Sequence, residues 1–166
     1  GLQDFHISLG QSGGISLEYK LPAASAWCDA VLLGSGDTNP SAVMIELKDW
    51  DTRGTQATTR EGLVEQRGHI GSHPSDQVRG YVEYCQNFHS AVLENSANVA
   101  GCVLFTSSQD LDVFRQYPYT NLVTQYPVFS SQTDEIQSAF PDYLANHLKK
   151  PDYDFAQKFE RGIYAQ

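Results

Sequence analysis

Apolar and polar residues alternate from residue 15 to residue 21, with Ile15, Leu17, Tyr19 and Leu21 on one side and Ser16, Glu18 and Lys20 on the other. A period of two predicts a half-buried β-strand. Upstream, Leu2, Phe5 and Leu9 stand near helical spacing and predict the tail of a helix over residues 2–9, which Gln11-Ser-Gly-Gly14 ends. Downstream, Pro22 to Ser25 turn the chain, residues 27–33 form a second, mostly apolar strand, and the turn residues of 34–41 form a loop. Residues 42–50 are a third strand, with Val43, Ile45 and Leu47 on one side. Three successive strands with short connections predict an antiparallel meander.

Residues 51–72 are polar, contain glycine and carry Arg53, Arg60 and Arg67 with little periodicity, which predicts a long functional or mobile loop. His73-Pro74 then opens a helix, and Val78, Val82, Cys85, Phe88, His89 and Val92 keep helical spacing as far as residue 93. Residues 99–106 read as a buried strand, parallel to its neighbour after this crossover. A short strand is expected within 122–129, a helix over 133–148 that Pro141 breaks or restarts, and a short helix after Pro151. Helix, three strands, helix, strand is the order of an α/β sandwich around a mixed sheet.

A length of 166 residues suits one domain, residues 1–166, and 40% hydrophobic with 19% charged residues is ordinary for a folded chain. No apolar run approaches the roughly 20 residues of a membrane span, and the start lacks the basic stretch and apolar core of a signal peptide. Cys28, Cys85 and Cys102 are odd in number, far apart and set in apolar segments. They predict buried free thiols and a cytoplasmic protein, not a disulfide framework or a cysteine zinc site. The net charge of −9 runs against nucleic acid as a partner, because affinity for DNA or RNA comes largely from neutralised phosphates. Nucleic acid stays compatible in two ways: another domain or partner holds it, or positive charge is local and supplemented by bound metal.

Chemistry concentrates in Asp29 and in Ile45-Glu46-Leu47-Lys48. Residues i and i+2 of a strand share a face, so Glu46 and Lys48 project together while Ile45 and Leu47 anchor the other side. A hairpin across 34–41 brings Asp29 beside Glu46. Two carboxylates in an apolar sheet repel each other and are costly to desolvate unless a cation neutralises them. Hard oxygen ligands select Mg2+ or Mn2+ over zinc. Lys48 beside that metal can orient a water and stabilise phosphoryl charge. The plainer alternative is a surface ion pair of Glu46 with Lys48, since Glu-x-Lys is a common tripeptide. Gln77 and Tyr81 are four apart on the expected helix, hence on one face.

Trp27-Cys-Asp-Ala-Val31, Val43-Met-Ile-Glu-Leu-Lys48 and Gln77-Val-Arg-Gly-Tyr81 together resemble the RecB-like exonuclease branch of the PD-(D/E)xK superfamily. Leu17-Glu-Tyr-Lys-Leu-Pro22, Glu46-Leu-Lys-Asp-Trp50 and His73-Pro-Ser-Asp-Gln77 resemble more closely the nuclease-like N-terminal domains attached to a bacterial family of DNA/RNA helicases. The resemblance covers residues 15–106. It implies a restriction-endonuclease-like α-β-β-β-α-β core, a divalent metal on Asp29 and Glu46, and hydrolysis of phosphodiester bonds in nucleic acid, DNA before RNA. It further implies a helicase domain or partner outside this chain. Where that group carries an Arg-Ile-Asp-like strand, this chain has Trp27-Cys28-Asp29. The stretch before Gly14 is too short for a complete first helix, so an N-terminal truncation is expected. That helix sometimes supplies another acid or a histidine, for which Asp4 and His6 are candidates.

Glu18 is a candidate third metal ligand or water-positioning base, against a solvated strand residue. Gln77, Tyr81 and His73 are the candidate substrate contacts, against capping and packing of the helix. Trp50 packs the strand end or stacks on a base, and Arg53, Arg60 and Arg67 clamp phosphates or are simply solvated. Two functions compete: a Mg2+- or Mn2+-dependent nuclease using Asp29, Glu46, Lys48, Gln77 and Tyr81, and a nuclease-like binding or assembly module without turnover.

Overall fold

A computed structural model of the chain describes residues 2–12, 15–24, 28–107 and 109–162 and, within 5–12 and 15–20, the backbone alone. β1 (Gln3–Ser12) and β2 (Ile15–Ala24) pair antiparallel, with Phe5 opposite Leu21. The helix expected over residues 2–9 is therefore not formed. The same stretch carries a competing period of two, Phe5, Ile7 and Leu9, and a strand partner satisfies backbone groups along its length, which one short helical turn cannot.

β3 (Ala30–Ser35) and β4 (Pro40–Lys48) form an antiparallel hairpin in which Ala30 faces Ile45 and Ser35 faces Pro40. The hairpin loop is tighter than expected, closed by the Gly36 N–H donating to the Asn39 carbonyl at 2.9 Å. Trp27 lies outside the described residues. β8 (Asn98–Phe105) runs parallel to β4, as expected, and β9 (Val128–Phe129) parallel to β8. The result is a mixed seven-stranded sheet in the order β1-β2-β3-β4-β8-β9. β2 covers Val31 and Leu32 of β3, and β10 (Lys150–Pro151) covers Gly34 and Ser35 of the same strand.

Alternation sends the side chains of the central strands into two cores. Val31, Leu33, Ala42, Met44, Val103 and Phe105 share one core with α1 (Pro74–Phe88) and α6 (Tyr153–Arg161). Leu32, Val43, Ile45 and Cys102 share the other with Leu144 of α5 (Phe140–His147). Helices thus cover both faces of the sheet, which makes the protein α/β.

The expected long loop over 51–72 is instead a second, three-stranded antiparallel sheet of β5 (Thr55–Ala57), β6 (Leu63–Gln66) and β7 (His69–Ser72). Arg67 and Gly68, at φ 51° and 86°, make the two-residue turn between the last two strands. Strands of three and four residues are too short to print a period, and β7 is exposed along its whole length. The helix expected to run on to residue 93 breaks at His89, which starts α2 (Ser90–Asn95). α3 (Asp112–Arg115) and α4 (Thr120–Gln125) precede β9, which is the short strand expected within 122–129. A π-helical turn, Glu135–Ala139, leads into α5, and Pro141 in the first turn restarts the helix. Cys28, Cys85 and Cys102 are free and buried. Among the described residues no helix is long and apolar enough to cross a membrane.

Two buried histidines cap the helices of this region. His73 Nδ1 accepts from the Ser75 N–H at 3.0 Å, and His89 Nδ1 accepts from the Ala91 N–H at 3.2 Å. Each Nε2 lies 3.0 Å from a backbone carbonyl, Phe114 and Phe159 respectively. An accepting Nδ1 beside an Nε2 that faces a carbonyl fixes the neutral tautomer with its proton on Nε2.

Candidate active site

Strand parity decides which face carries chemistry. Ala42 and Met44 of β4 belong to the core under α1, so Glu46 and Lys48, two and four residues further on, continue that face beyond the packed core. Val31 and Leu33 lie on the same face of β3, and Asp29, immediately before the strand, keeps their parity. Extending the Ala30–Ile45 pairing by one residue sets Asp29 opposite Glu46. Asp29 is exposed, and its Oδ2 accepts from the Leu47 N–H at 2.7 Å. Glu46 Oε1 lies 3.3 Å from Lys48 Nζ, with the two side chains only 12% and 14% exposed. The same ammonium stands 5.1 Å from the centre of the Trp50 ring.

Burial raises the Glu46 carboxyl above its usual range and Asp29 raises it further, while Lys48 opposes the shift. The Tyr81 phenol is also raised, by burial first and then by the charge of Glu46, with smaller effects of Cys28 and Asp29. That electrostatic coupling places the phenol of α1 within the field of both acids. The Cys28 thiol is pushed up to about 11, mainly by burial and then by Glu46, and it donates to the Ala30 carbonyl at 3.2 Å. Cys28 is a protonated neighbour of the site rather than a nucleophile.

Gln77 stands one turn before Tyr81, and its Oε1 is buried with no hydrogen-bond partner among the described residues. The residue borders two cavities. One, of about 320 Å³, lies between Trp50 and the β6–β7 hairpin. The other, of about 420 Å³, lies along α1 beside Tyr81. An acceptor without a donor at the junction of two cavities is suited to a ligand's N–H or O–H.

The remaining candidates fall elsewhere. His73 is fully buried with both ring nitrogens engaged and packs on Phe114 and Tyr119. Its place in the structure is that of a capping and packing residue, the alternative set beside a substrate contact. Trp50 packs edge-on against Phe105 at 6.2 Å and also wets one cavity wall. Arg53 and Arg67 both bind Asp51, at 2.9 and 2.6 Å. Hydrogen bonds, from Arg53 above all, hold the Asp51 carboxyl well below the usual carboxylate range. Arg60 is exposed in the turn before β6. The side chains of Glu18 and His6 lie outside the described residues, and Asp4 accepts from the Tyr153 hydroxyl at 3.4 Å. Sequence reasoning missed Tyr84, although the spacing 77, 81, 84, 88 places it on one stripe of α1, with Gly80 beside that stripe.

Among the described residues no group of three or more His, Cys, Asp or Glu stands together as a metal cage. Asp29 and Glu46 each spend one oxygen inside the protein, on the Leu47 amide and on Lys48, which leaves one oxygen of each. Two carboxylate oxygens suit an ion of the Mg2+ type, which keeps several waters, and do not suit the closed four-ligand shell of structural zinc. No protein-family model, no curated protein and no solved structure matches the chain.

Proposed function

We propose that the chain is a Mg2+- or Mn2+-dependent nuclease domain of restriction-endonuclease-like fold, acting on phosphodiester bonds of DNA before RNA. The observation that carries this reading is the opposition of Asp29 and Glu46 on neighbouring strands, with Lys48 beside Glu46 and the Tyr81 phenol in the field of both acids. The group lies at the carboxyl end of β4, the end at which parallel strands of α/β sheets present ligands. The succession β2-β3-β4-α1-β8 supports the same reading: its order matches the β-β-β-α-β part of the implied core, with β5–β7 inserted before α1, α2 before β8, and β1 where the leading helix is implied.

A bound divalent ion would neutralise charge and lower the pKa of a water at this place. Asp29 and Glu46 would hold it through their remaining oxygens. Lys48, restrained by Glu46 and Trp50, faces the negative charge that grows on the phosphoryl group. Gln77 and Tyr81 orient the substrate from α1. Among the described residues Lys48, Arg53, Arg67, Arg79, Arg115 and Lys158 are each tied to an acid. Six of the eleven Lys and Arg residues are so tied, in a chain of net charge −9, which fits a helicase domain or partner that delivers the nucleic acid, in the cytoplasm.

Cleavage of end-labelled single- and double-stranded DNA and RNA in Mn2+ tests the proposal. Wild type should cut, and Lys48→Ala should lose about 10²- to 10³-fold in rate, the usual loss for one charge-stabilising donor, while still binding Mn2+. Full activity in Lys48→Ala rejects the mechanism. Wild type that binds Mn2+ and cuts nothing identifies the non-catalytic binding module instead.

A further inference from the structure

The stripe of α1 that holds Gln77 and Tyr81 continues through Tyr84 and Phe88, the four lying within roughly 60° of helix circumference and spanning about 16 Å. It borders the face that Val78, Val82 and Cys85 bury. Tyr84 is 45% exposed and Phe88 38%, and their rings lie 5.0 Å apart at 41°. Beside them stands Gly80, in mid-helix, where glycine weakens the helix. Apart from its own helix backbone and chain neighbours, no atom of the described residues lies within 4 Å of the place its Cβ would take, so packing among them does not require the glycine. Gly80 instead borders the cavity of about 420 Å³ whose walls include Ser72, Gln77, Tyr81 and Tyr84. At its Gln77 end this surface meets the second cavity, which Trp50 also lines, and Lys48 Nζ stands 5.1 Å from the Trp50 ring.

Resting on the nuclease reading, we propose that this stripe is a stacking track for the bases of a single strand leading to the scissile phosphodiester. Tyr84 and Phe88 are its platforms, and the open space over Gly80 admits a base. Charge selects this mode of binding. The chain carries a net −9, and Arg79, the one basic residue of α1, is held in ion pairs by Asp76 and Glu61. Aromatic rings stack on any base without neutralising a phosphate. A duplex hides its base faces and offers mainly phosphates, which this surface repels. Binding is therefore selective for single strands and only weakly dependent on salt.

Fluorescence anisotropy with a labelled oligothymidylate and a duplex of equal length tests this, in Ca2+ and at low and physiological salt. The oligothymidylate should bind more tightly than the duplex. Tyr84→Ala and Phe88→Ala should each weaken it about 5- to 150-fold, the range for one lost base–aromatic stack, and Tyr84→Phe should restore wild-type affinity. Gly80→Leu, which fills the cavity and removes no ring, should weaken it as well. Calorimetric Mn2+ affinity should be the same in all four variants. No binding of oligothymidylate by wild type, or unchanged binding in both alanine variants, overturns the track. With Lys48→Ala still abolishing cleavage, that result leaves the nuclease reading standing and marks the aromatics as a face for another protein. Conversely, cleavage that ignores Lys48 together with aromatic-dependent binding overturns the nuclease reading and keeps the track.

Discussion

Gly101→Ala puts one methyl group where α1 already rests on the sheet. A Cβ at Gly101 meets Val78 Cγ1 at 2.3 Å and Val82 Cγ2 at 2.8 Å, whereas carbon atoms in contact prefer about 3.5–4.0 Å. Both valines are fully packed, at 0% and 1% exposure, and a β-branched side chain in a helix has one strongly preferred rotamer. Neither can swing aside, so α1 must retreat from β8 by about 1 Å, the shortfall in contact distance. Overpacking of this kind costs about 1–3 kcal/mol, which for a chain of this length lowers Tm by about 2–12 °C. The retreat also parts the two halves of the site, since Asp29 and Glu46 ride on β-strand ends and Gln77 and Tyr81 on the helix. Cleavage should fall by about 10²-fold, the penalty for a 1 Å misplacement, with Mn2+ affinity kept. Circular dichroism melting measures the first effect; Mn2+ calorimetry beside single-turnover cleavage measures the second. An unchanged Tm would refute the close seat of α1 on Gly101, and equal losses of metal affinity and cleavage would refute the division of the site between sheet and helix.

Asp29→Asn keeps an amide oxygen for the Leu47 N–H, so the domain should stay folded while Mn2+ affinity drops about tenfold or more, ~1.4 kcal/mol. Because burial and then Asp29 raise the Glu46 carboxyl, wild-type Mn2+ binding should fail, as pH drops, at a higher pH than an ordinary glutamate implies. Glu46 in Asp29→Asn should titrate lower, and an unmoved carboxyl signal in NMR would reject the coupling. Burial lowers the pKa of His73 and His89 from 6.5, so the unfolded chain takes up protons first as pH falls. Their contribution to stability is complete above pH 6.5 and is lost as pH falls from there through the lowered values. Melting at mildly acid pH should come at a lower temperature than at neutral pH, and the opposite order would reject the neutral capping tautomer. Gly80→Ala should stabilise the domain by about 0.5–1 kcal/mol in chemical denaturation, and a loss of stability would show that the space over Gly80 is filled.

The elements that the sequence discloses are those whose period is long enough to show through. β4, α1 and β8 carry apolar or helical patterns over eight or more residues, and β4 and α1 hold Glu46, Lys48 and the Gln77–Tyr81 pair. The first segment was ambiguous because Phe5 and Leu9 belong to both a helical and an alternating series, and the decision lies with a distant partner, β2. β5 to β7 stayed hidden because strands of three or four residues leave no pattern. The break at His89 was masked by its correct helical spacing; only the ring's bonds to Ala91 and Phe159 turn it from a helix residue into a cap. The candidate residues were legible through strand parity and helical spacing, and the same parity sets Trp50, two residues on, beside Lys48.

The two cores on either side of the sheet make the site a check on the fold itself. A slip of β3 or β4 by one residue would exchange every inward and outward side chain, sending Glu46 towards the core of Leu32, Val43 and Ile45 and Leu47 towards α1. A carboxylate displaced in that way loses both Lys48 and Asp29 and is driven to protonate. On the proposed function, a misregistered molecule would not assemble the divalent-ion site, and an ion that binds only the correct register would draw the population towards it. Metal affinity would then act as a proofreading signal for strand alignment, so an excess of the ion during refolding would select for molecules whose hairpin closed in the right place.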